Sequence, residues 1–401
     1  MILRNARLVL PEQVVEASSL FIEDGRIAQI VDSHSDRSGK LDSVIDLNGL
    51  TLFPGFIDVH IHGATGVDAM AATVDDLQQV SAFLARKGVT AWLPTLVPSA
   101  DEQYELSIRA IDEAVAQTSV CDSSDAVTDH RLKSAPPARV IGVHYEGPFV
   151  NSEQCGALHR EHFRTFKDIA DLDSLPTLKH DGAVHLMTLA PETDGGIDLI
   201  KELRRRGWIV SIGHTRANLE VLDQALQAGA RHMTHFMNAM TPLYHRAPGP
   251  VGWGLIHDEV TCDIIADGVH LDSSILKIIL RCKSAERISL ISDAVSPTGL
   301  GDGEYQIWGE TIHVKNGRTQ NARGSIAGSV ITMLDAVRMM LSLGASECEV
   351  ARMASLNPAC LLGIDHDCGS IQVGKRADLV ALDRAGEVRL TMIGGFPAMT
   401  N

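Results

Sequence analysis

The stretch Leu52–Gly63 reads LFPGFIDVHIHG, and it decides how the rest of the chain is arranged. A Pro-Gly turn leads into a β-favouring run that ends in His60-Ile61-His62. Because alternate side chains of a strand point the same way, His60 and His62 share one face. Two imidazoles on one face can chelate a divalent metal. The alternative is a pair of histidines hydrogen-bonded at a strand end, and with 17 histidines in 401 residues the HxH pattern alone is a weak signal.

From this stretch onward, strand-like runs alternate with amphipathic helical patterns, several of which stop at a glycine. Eight such units predict an α/β fold, a (β/α)8 TIM barrel. The alternative, an open doubly wound sheet, usually has a glycine-rich turn after its first strand, whereas here the first strand ends in histidines. The predicted barrel strands are 56–62, 90–95, 139–145, 184–189, 208–213, 231–235, 261–266 and 288–292. The predicted helices are 74–87, 102–116, 197–206, 218–228, 273–282 and 330–343.

Both ends of the chain are rich in strand signals and poor in helical ones. Short strands surround the Asp24-Gly25 turn near the start, and residues 370–396 return to strands. We therefore expect the two ends to pair into a small β-sandwich domain. Residues 297–328 are predicted to form a β excursion after the last barrel strand, and 121–137 a surface loop. The predicted division is 1–52 for the N-terminal part of the small domain, 53–360 for the barrel and 361–401 for the C-terminal part.

Side chains of the type that binds metals recur at the carboxyl ends of the predicted barrel strands, where barrel enzymes hold their catalytic groups. They are His60, His62, Glu146, His214, His235, His270 and Asp293. A buried, unpaired carboxylate at Glu146 is costly unless it meets a metal or another cation. Taken singly, His214 or His235 could be a hydrogen-bonded core histidine and Asp293 a helix cap. Taken together, these residues favour a metal site.

The composition excludes several classes of partner. The formal net charge of −16 argues against nucleic acid and anionic membranes, because either needs a basic face. The first 20 residues lack a signal-peptide pattern, and no apolar run approaches the length of a membrane span. The seven cysteines are scattered and form no CxxC pair, which is typical of reduced thiols in a cytoplasmic protein.

Nearly the whole chain resembles the N-acetylglucosamine-6-phosphate deacetylases of the amidohydrolase superfamily. The resemblance extends from Phe53 to about Asp383, and its most specific part is HFMNAM followed by HRAPG. The matching segments are FPGFIDVHIHG (53–63), GVTAWLPTL (88–96), GVHYEGPF (142–149), GHT (213–215), THFMNAMTPLYHRAPGPVG (234–252), DGVH (267–270), SDAVSPTG (292–299), GSIAGSVITM (324–333) and ASLNPA (354–359).

The resemblance implies a role for each candidate residue. Glu146, His214 and His235 match the main metal ligands, and His60 and His62 match a pair that lets some members hold a second ion. Asp293 matches the catalytic acid and base, and His270 a group near the reacting amide. The residues that match contacts to the sugar or its phosphate are Ala157, Leu158, His159, Asn238, Ala239, Arg246, Ile326, Ala327 and Gly328. The resemblance also implies a barrel with a small β-sandwich, a homodimer, and one or two divalent ions per subunit, zinc first, with iron or another metal as the alternative.

One loop departs from the family pattern. Members commonly carry Gly-Ala-His after the Glu-Gly-Pro segment, whereas this chain reads Cys155-Gly156-Ala157-Leu158-His159-Arg160. Either Leu158 replaces the histidine, or His159 serves one position later. Because this loop touches the substrate in the family, the departure bears on which sugar is bound.

The resemblance implies metal-dependent hydrolysis of the acetamide of an N-acetyl amino-sugar 6-phosphate, with N-acetylglucosamine 6-phosphate first and the galactosamine epimer as the alternative. A cyclic amide hydrolase or a deaminase on the same barrel is a second alternative. Dihydropyrimidinase-like members usually carry a bridging carboxylated lysine, but no lysine ends a strand here. A third alternative is a non-catalytic scaffold, which would be free to lose Asp293.

Overall fold

The computed structural model of the protein describes residues 1–32, 43–120 and 136–398. Most of the predicted surface loop at 121–137, including Cys121, lies outside these residues. Two bodies of structure are present, a parallel barrel and a sheet built from both chain ends. None of the helices in the described ranges is long and apolar enough to cross a membrane.

The barrel is built from eight parallel strands that pair in sequence order, which confirms the predicted fold. Their bounds lie within a few residues of the predicted ones, and the sixth strand is the shortest because the chain turns away after Met233. The strands are Phe56–Ile61, Val89–Leu96, Gly142–Glu146, Val184–Leu189, Ile209–Ile212, His232–Met233, Thr261–Ile265 and Ile288–Ile291, with Arg139–Val140 as an added pairing before the third.

The first and last strands meet beyond the end of Ile288–Ile291. The Asp293 amide donates to the His60 carbonyl at 3.0 Å, and the His62 amide donates to the Ala294 carbonyl at 2.8 Å. The closure of the barrel therefore brings the end of the last strand next to the HxH segment of the first.

Helices cover the outside of the barrel and bury its apolar side chains in one large core. The helix Val74–Ala85 begins at a capping box formed by Thr73 and Asp76, and Leu219–Ala228 ends at Gly229, whose φ is 108°. The helix Gly249–Ile256 was missed in the sequence because its glycines disfavour a helix, but burial of Trp253 outweighs that preference. The helices are Val74–Ala85, Asp101–Val120, Ile169–Asp173, Gly196–Arg205, Leu219–Ala228, Gly249–Ile256, Ser273–Lys283, Met333–Ser342, Glu347–Ala351 and Asn357–Leu362.

The two chain ends form one eight-stranded sheet with its own apolar core, as the strand signals predicted. The Ala377 amide donates to the Gly25 carbonyl at 2.8 Å, so the two ends of the sheet approach each other and enclose that core. In spatial order the strands are Phe396–Ala398, Val388–Ile393, Leu379–Leu382, Thr51–Pro54, Ile2–Val9, Val14–Glu23 and Arg26–Asp32, with Val44–Asp46 beside Ile2–Val9.

Gly55 joins this sheet to the barrel. Its amide donates to the Asp378 carbonyl at 2.8 Å, and a Cβ built on it would lie 2.3 Å from the Thr90 methyl carbon. Only glycine fits between the end of Thr51–Pro54 and the start of the first barrel strand. The division of the domains at 52/53 and 360/361 stays a prediction.

The predicted β excursion forms three antiparallel strands, Gly303–Ile307, Glu310–Lys315 and Arg318–Asn321. It lies at the carboxyl end of the barrel, because the ring of Trp308 packs edge-on against that of His62 with centroids 5.0 Å apart. The excursion therefore forms part of the wall around the HxH segment.

Candidate active site

Glu146, the last residue of the third barrel strand, lies at the centre of a buried cluster. Its Oε1 is 2.9 Å from the Nε2 of His214 and 2.9 Å from the Nε2 of His235. Its Oε2 is 3.3 Å from the Nε2 of His62. Two sets of ligand atoms can thus share this carboxylate, one with His214 and His235 and the other with His60 and His62.

Asp293 lies beside the second set. Its Oδ1 is 3.3 Å from the Nε2 of His62 and 3.5 Å from the Nε2 of His60. The two histidine Nε2 atoms are themselves 3.2 Å apart. The structure therefore brings together the five predicted metal ligands and the predicted catalytic carboxylate.

Three of these residues follow their barrel strands by two positions and share an unusual backbone conformation. The φ angles of His214, His235 and Asp293 are 47°, 31° and 50°. Non-glycine residues rarely adopt positive φ, and such strain persists only where neighbours enforce it. At His235 the enforcing group is the carboxylate of Asp263, which accepts the His235 amide. This backbone conformation directs each side chain towards Glu146 and the HxH segment.

The ring nitrogen that carries the proton in each histidine indicates whether a cation fits this cluster. The Nδ1 of His62 lies 3.2 Å from the Thr95 carbonyl oxygen, and the Nδ1 of His214 lies 2.7 Å from that of Gln154. A carbonyl only accepts, so each Nδ1 carries the proton and donates it. In the neutral ring, Nε2 then presents a lone pair towards the Glu146 carboxylate. Converging lone pairs need a cation between them, and this carbonyl–histidine arrangement is common around protein metals.

The pKa values of His62, His235 and Glu146 also indicate that positive charge is favoured in this cluster. Burial alone lowers the pKa of His62, but hydrogen bonds to Asp293 and Glu146 outweigh it and raise that pKa to about 10. Burial likewise opposes the Glu146 contact at His235, whose pKa rises to about 9. Burial acts to raise the pKa of Glu146, yet the surrounding histidines hold it well below its ordinary value. The Glu146 carboxylate is therefore stabilised by positive charge around it, which a divalent metal would supply.

A layer of neutral polar groups lies beneath the cluster. His144 donates and accepts through both ring nitrogens, 2.9 Å from the Val59 carbonyl and 2.7 Å from the Thr188 hydroxyl. The Thr188 hydroxyl continues to Thr234 at 2.6 Å, and Thr234 to Ser211 at 2.5 Å. Burial lowers the pKa of His144 to about 4, so this ring stays neutral and supports the rings above it.

Two loops that were predicted to touch substrate flank the cluster. A Cβ built on Gly156 would lie 3.7 Å from the His214 ring and 4.0 Å from the Ala239 methyl, so the 155–160 loop passes over His214. On the other side, a Cβ on Gly328 would lie 2.9 Å from the Asp293 carbonyl oxygen, so the 326–328 loop borders Asp293.

Residues 155–160 form the loop that differs from the family pattern, and its side chains point in different directions. Leu158 is buried in the main core of the protein with 3% of its surface exposed. The His159 Nδ1 lies 3.1 Å from a Glu161 carboxylate oxygen on the loop surface. Sequence reasoning missed Arg323, which donates from Nη2 to the Ala157 carbonyl at 3.3 Å and so ties the β excursion to this loop. No local motif in the sequence points to that contact.

Arg246 lies on an exposed turn. Its Nη1 donates to the Tyr244 hydroxyl at 3.2 Å, and residues 242–247 are all exposed. Asn238, predicted to touch the sugar, is half-buried four residues before this turn begins, and its amide donates to the His235 carbonyl at 2.8 Å. The structure thus keeps Asn238 by the cluster and leaves Arg246 on the surface of the chain.

His270 is fixed by a carboxylate on its own loop. Its Nδ1 lies 2.7 Å from one oxygen of Asp267, and the other oxygen accepts the His270 amide at 2.8 Å. Burial acts to raise the pKa of Asp267, but the contact with His270 holds it below its ordinary value. The Asp267 carboxylate therefore fixes the orientation of the His270 ring through Nδ1.

Comparison with known proteins agrees with this geometry. Residues 51–396 match the amidohydrolase family. The chain is 35% identical over 398 residues to N-acetylgalactosamine-6-phosphate deacetylase of Escherichia coli O157:H7, covering 98% of each chain. It is 32% identical over 401 residues to N-acetylglucosamine-6-phosphate deacetylase of Bacillus subtilis (strain 168), covering 98% of this chain and 96% of that one.

A solved structure is similar over the whole length. It is a variant of N-acetyl-D-glucosamine-6-phosphate deacetylase from Mycobacterium smegmatis in complex with N-acetyl-D-glucosamine-6-phosphate, with a TM-score of 0.85, 30% identity, and coverage of 100% of this chain and 99% of that one. The chain therefore belongs to the amidohydrolase family and, within it, to the N-acetylglucosamine-6-phosphate deacetylases.

Proposed function

We propose that this protein hydrolyses the acetamide of N-acetylglucosamine 6-phosphate and releases acetate and the amino-sugar phosphate. The observation that carries the proposal is the position of the Asp293 carboxylate, 3.3 Å from His62 in a cluster centred on Glu146. The cluster lies in a chain that is similar over its full length to deacetylases of amino-sugar phosphates.

A divalent metal is supported by the family and by the converging lone pairs of the cluster. Imidazole and carboxylate ligands suit zinc, with iron as the alternative, and the shared Glu146 allows one or two ions per subunit. Replacing Glu146 with alanine should remove most bound metal and nearly all activity, because it takes away the ligand common to both sets. His60→Ala should remove a second ion at most. Elemental content of purified protein measures both effects, and full metal in the Glu146 variant would contradict the assignment.

Asp293 is proposed to move the proton that the reaction requires. A bound divalent ion would supply a Lewis acid for the acetyl carbonyl and would make an attacking water more acidic. Asp293 takes a proton from that water and then gives it to the amide nitrogen, which is a poor leaving group until it is protonated. His270, held by Asp267 at 2.7 Å, can donate from Nε2 to the carbonyl oxygen as negative charge develops there.

The glucosamine epimer is the first choice, because the Bacillus relative and the Mycobacterium complex carry that sugar in their names. The galactosamine epimer is the second candidate, because a relative with 35% identity is named for it. The substrate loop differs from the family pattern at Leu158, whose side chain is buried, so His159, one position later, is the candidate for the imidazole that the family carries here.

A homodimer in the cytoplasm is proposed as the working form. Leu243 and Tyr244 are 52% and 51% exposed beside Arg246, so this turn presents two adjacent apolar side chains to solvent. Burial of this turn against a second copy would remove that apolar surface from water and allow Arg246 to reach phosphate in the neighbouring site. The scattered cysteines fit a reducing compartment.

Acetate release from both 6-phosphate epimers, measured side by side with zinc-loaded and iron-loaded protein, tests the proposal. We expect faster release from the glucosamine phosphate, and release that is at least about 100-fold slower in Asp293→Asn. Faster release from the galactosamine phosphate would move the assignment to that epimer. Release from neither sugar, together with hydrolysis of a cyclic amide or deamination of a nucleobase, would overturn it.

A further inference from the structure

The first barrel strand carries one carboxylate, Asp58, that has no role in the metal cluster or in the proposed proton transfer. Asp58 lies two residues before His60 and is completely buried. Buried carboxylates are rare and costly unless every oxygen is hydrogen-bonded. The partners of Asp58 therefore indicate why the protein keeps it.

Both oxygens of Asp58 accept hydrogen bonds from the two segments that form the site. Its Oδ2 accepts the Ser292 hydroxyl at 2.5 Å. Its Oδ1 accepts two backbone amides at 3.3 Å, that of Ser292 and that of His60. One side chain thus joins the residue before Asp293 to the first histidine of the HxH segment.

Ser292 is held on its other sides as well. Its hydroxyl oxygen accepts the Ala294 amide at 3.1 Å, and its carbonyl accepts the Ser329 hydroxyl at 2.5 Å. Asp293 lies between Ser292 and Ala294 with a φ of 50°, a conformation that its neighbours must enforce. Release of the Ser292 hydroxyl would free two of these contacts at once.

We propose that Asp58 is a positioning residue, which acts through Ser292 and the His60 amide to hold the Asp293 carboxylate against His60 and His62. Only the expected fall in kcat rests on the proposed function. Its structural consequence is that the distance of 3.3 Å between Asp293 Oδ1 and His62 Nε2 depends on Asp58.

Asp58→Asn tests the inference with little change in volume. The Oδ1 of asparagine can still accept the two amides, but its NH2 group cannot accept the Ser292 hydroxyl, so the hydrogen bond from this hydroxyl to a charged carboxylate is lost and the hydroxyl must reorient. We expect kcat to fall about 100-fold, since a misplacement of about 1 Å can cost that much. KM should change by less than about three-fold and the metal bound at Glu146, His214 and His235 should stay, because Asp58 contacts neither that set nor the two loops beside it.

Two further variants separate positioning from loss of stability. Asp378→Asn also removes a buried carboxylate, but one in the small domain, and should lower stability while leaving kcat unchanged. Ser292→Ala keeps Asp58 and removes only the hydroxyl. If Asp58 acts through Ser292, the double variant should be no slower than Asp58→Asn alone. Additive losses, or a kcat within about three-fold of wild type in Asp58→Asn, would overturn the inference.

Crystal structures of the wild type and of Ser292→Ala test the positioning role without an activity assay. We expect the distance between Asp293 Oδ1 and His62 Nε2 to increase by about 1 Å in the variant. An unchanged distance would refute the positioning role. If the wild-type protein releases no acetate, the proposed function fails, while this distance still decides whether Asp58 and Ser292 hold Asp293 in place.

Discussion

At the scale of single residues, the site depends on side chains that are held close together by residues in a strained backbone conformation. Asp293 adopts a positive φ, is 7% exposed, and contacts both histidines of the first strand. Such an arrangement costs stability and is expected where it serves a reaction.

Asp293→Asn keeps the size of the side chain and removes its ability to transfer a proton. We expect kcat to fall by about 10²–10⁴-fold with metal content and KM nearly unchanged. Steady-state acetate release and elemental analysis of the same sample measure this. A variant that has lost its metal and recovers its rate when metal is added would show that Asp293 is chiefly a ligand.

Arg246→Ala should raise KM for the phosphorylated sugar by about 10–100-fold and spare the unphosphorylated one, because a guanidinium can bind phosphate oxygens with two hydrogen bonds. The net charge of −16 repels an anionic substrate at long range, so local cations must hold it. Arg86→Ala, exposed after the first barrel helix at the opposite end of the barrel, is the matched control. Equal losses on both sugars would count against a phosphate role.

At the scale of elements, the barrel strands and most helices could be predicted because their periodicity and glycine stops are local in the sequence. The metal candidates could be found for the same reason, since each lies at or just past the end of a strand that the pattern already identified. The helix Gly249–Ile256 could not, because tertiary burial of Trp253 decides it. The direction of Leu158 and the contact of Arg323 with Ala157 depend on how distant loops meet, which no local pattern records.

The substrate loop gives a prediction about stability. Leu158→Ala should lower the free energy of unfolding by about 2–5 kcal/mol, because the side chain is buried in the main core. His159→Ala, one residue later on the loop surface, should change it by less than about 0.5 kcal/mol. Denaturant unfolding of the two variants compares them directly. Equal stabilities would mean that Leu158 faces the substrate pocket and not the core.

At the scale of the whole molecule, a buried ion cluster joins the barrel to the sheet of the chain ends. Asp378 accepts Arg139 at 3.0 Å from the barrel, Arg376 at 3.3 Å, and the Gly394 amide at 2.7 Å. Burial acts to raise the pKa of Asp378, but the two arginines hold it below the ordinary value of 3.8. The small sheet and its strands were predicted, whereas this ion cluster was not, because its members are far apart in the sequence.

Asp378→Asn should lower the free energy of unfolding at pH 7 by about 3–5 kcal/mol, since it removes the buried negative charge that both arginines contact. The folded state binds the Asp378 proton more weakly than the unfolded chain, so this contribution is present above about pH 3.8 and is lost as the pH falls through the lower folded value. Urea unfolding of wild type and variant at pH 7 and at pH 3 measures the difference. A gap between the two proteins that widens towards low pH would contradict the sign argued here.

The pairing of Thr51–Pro54 with Leu379–Leu382 has a consequence for the order in which a ribosome delivers this chain. The N-terminal strands emerge first, yet the edge formed by Thr51–Pro54 has no partner until almost all of the chain has been translated. The barrel strands can pair in the order of their synthesis, whereas the small sheet is completed last. During that interval the nascent protein exposes an open β edge, which is the kind of surface that chaperones protect from aggregation.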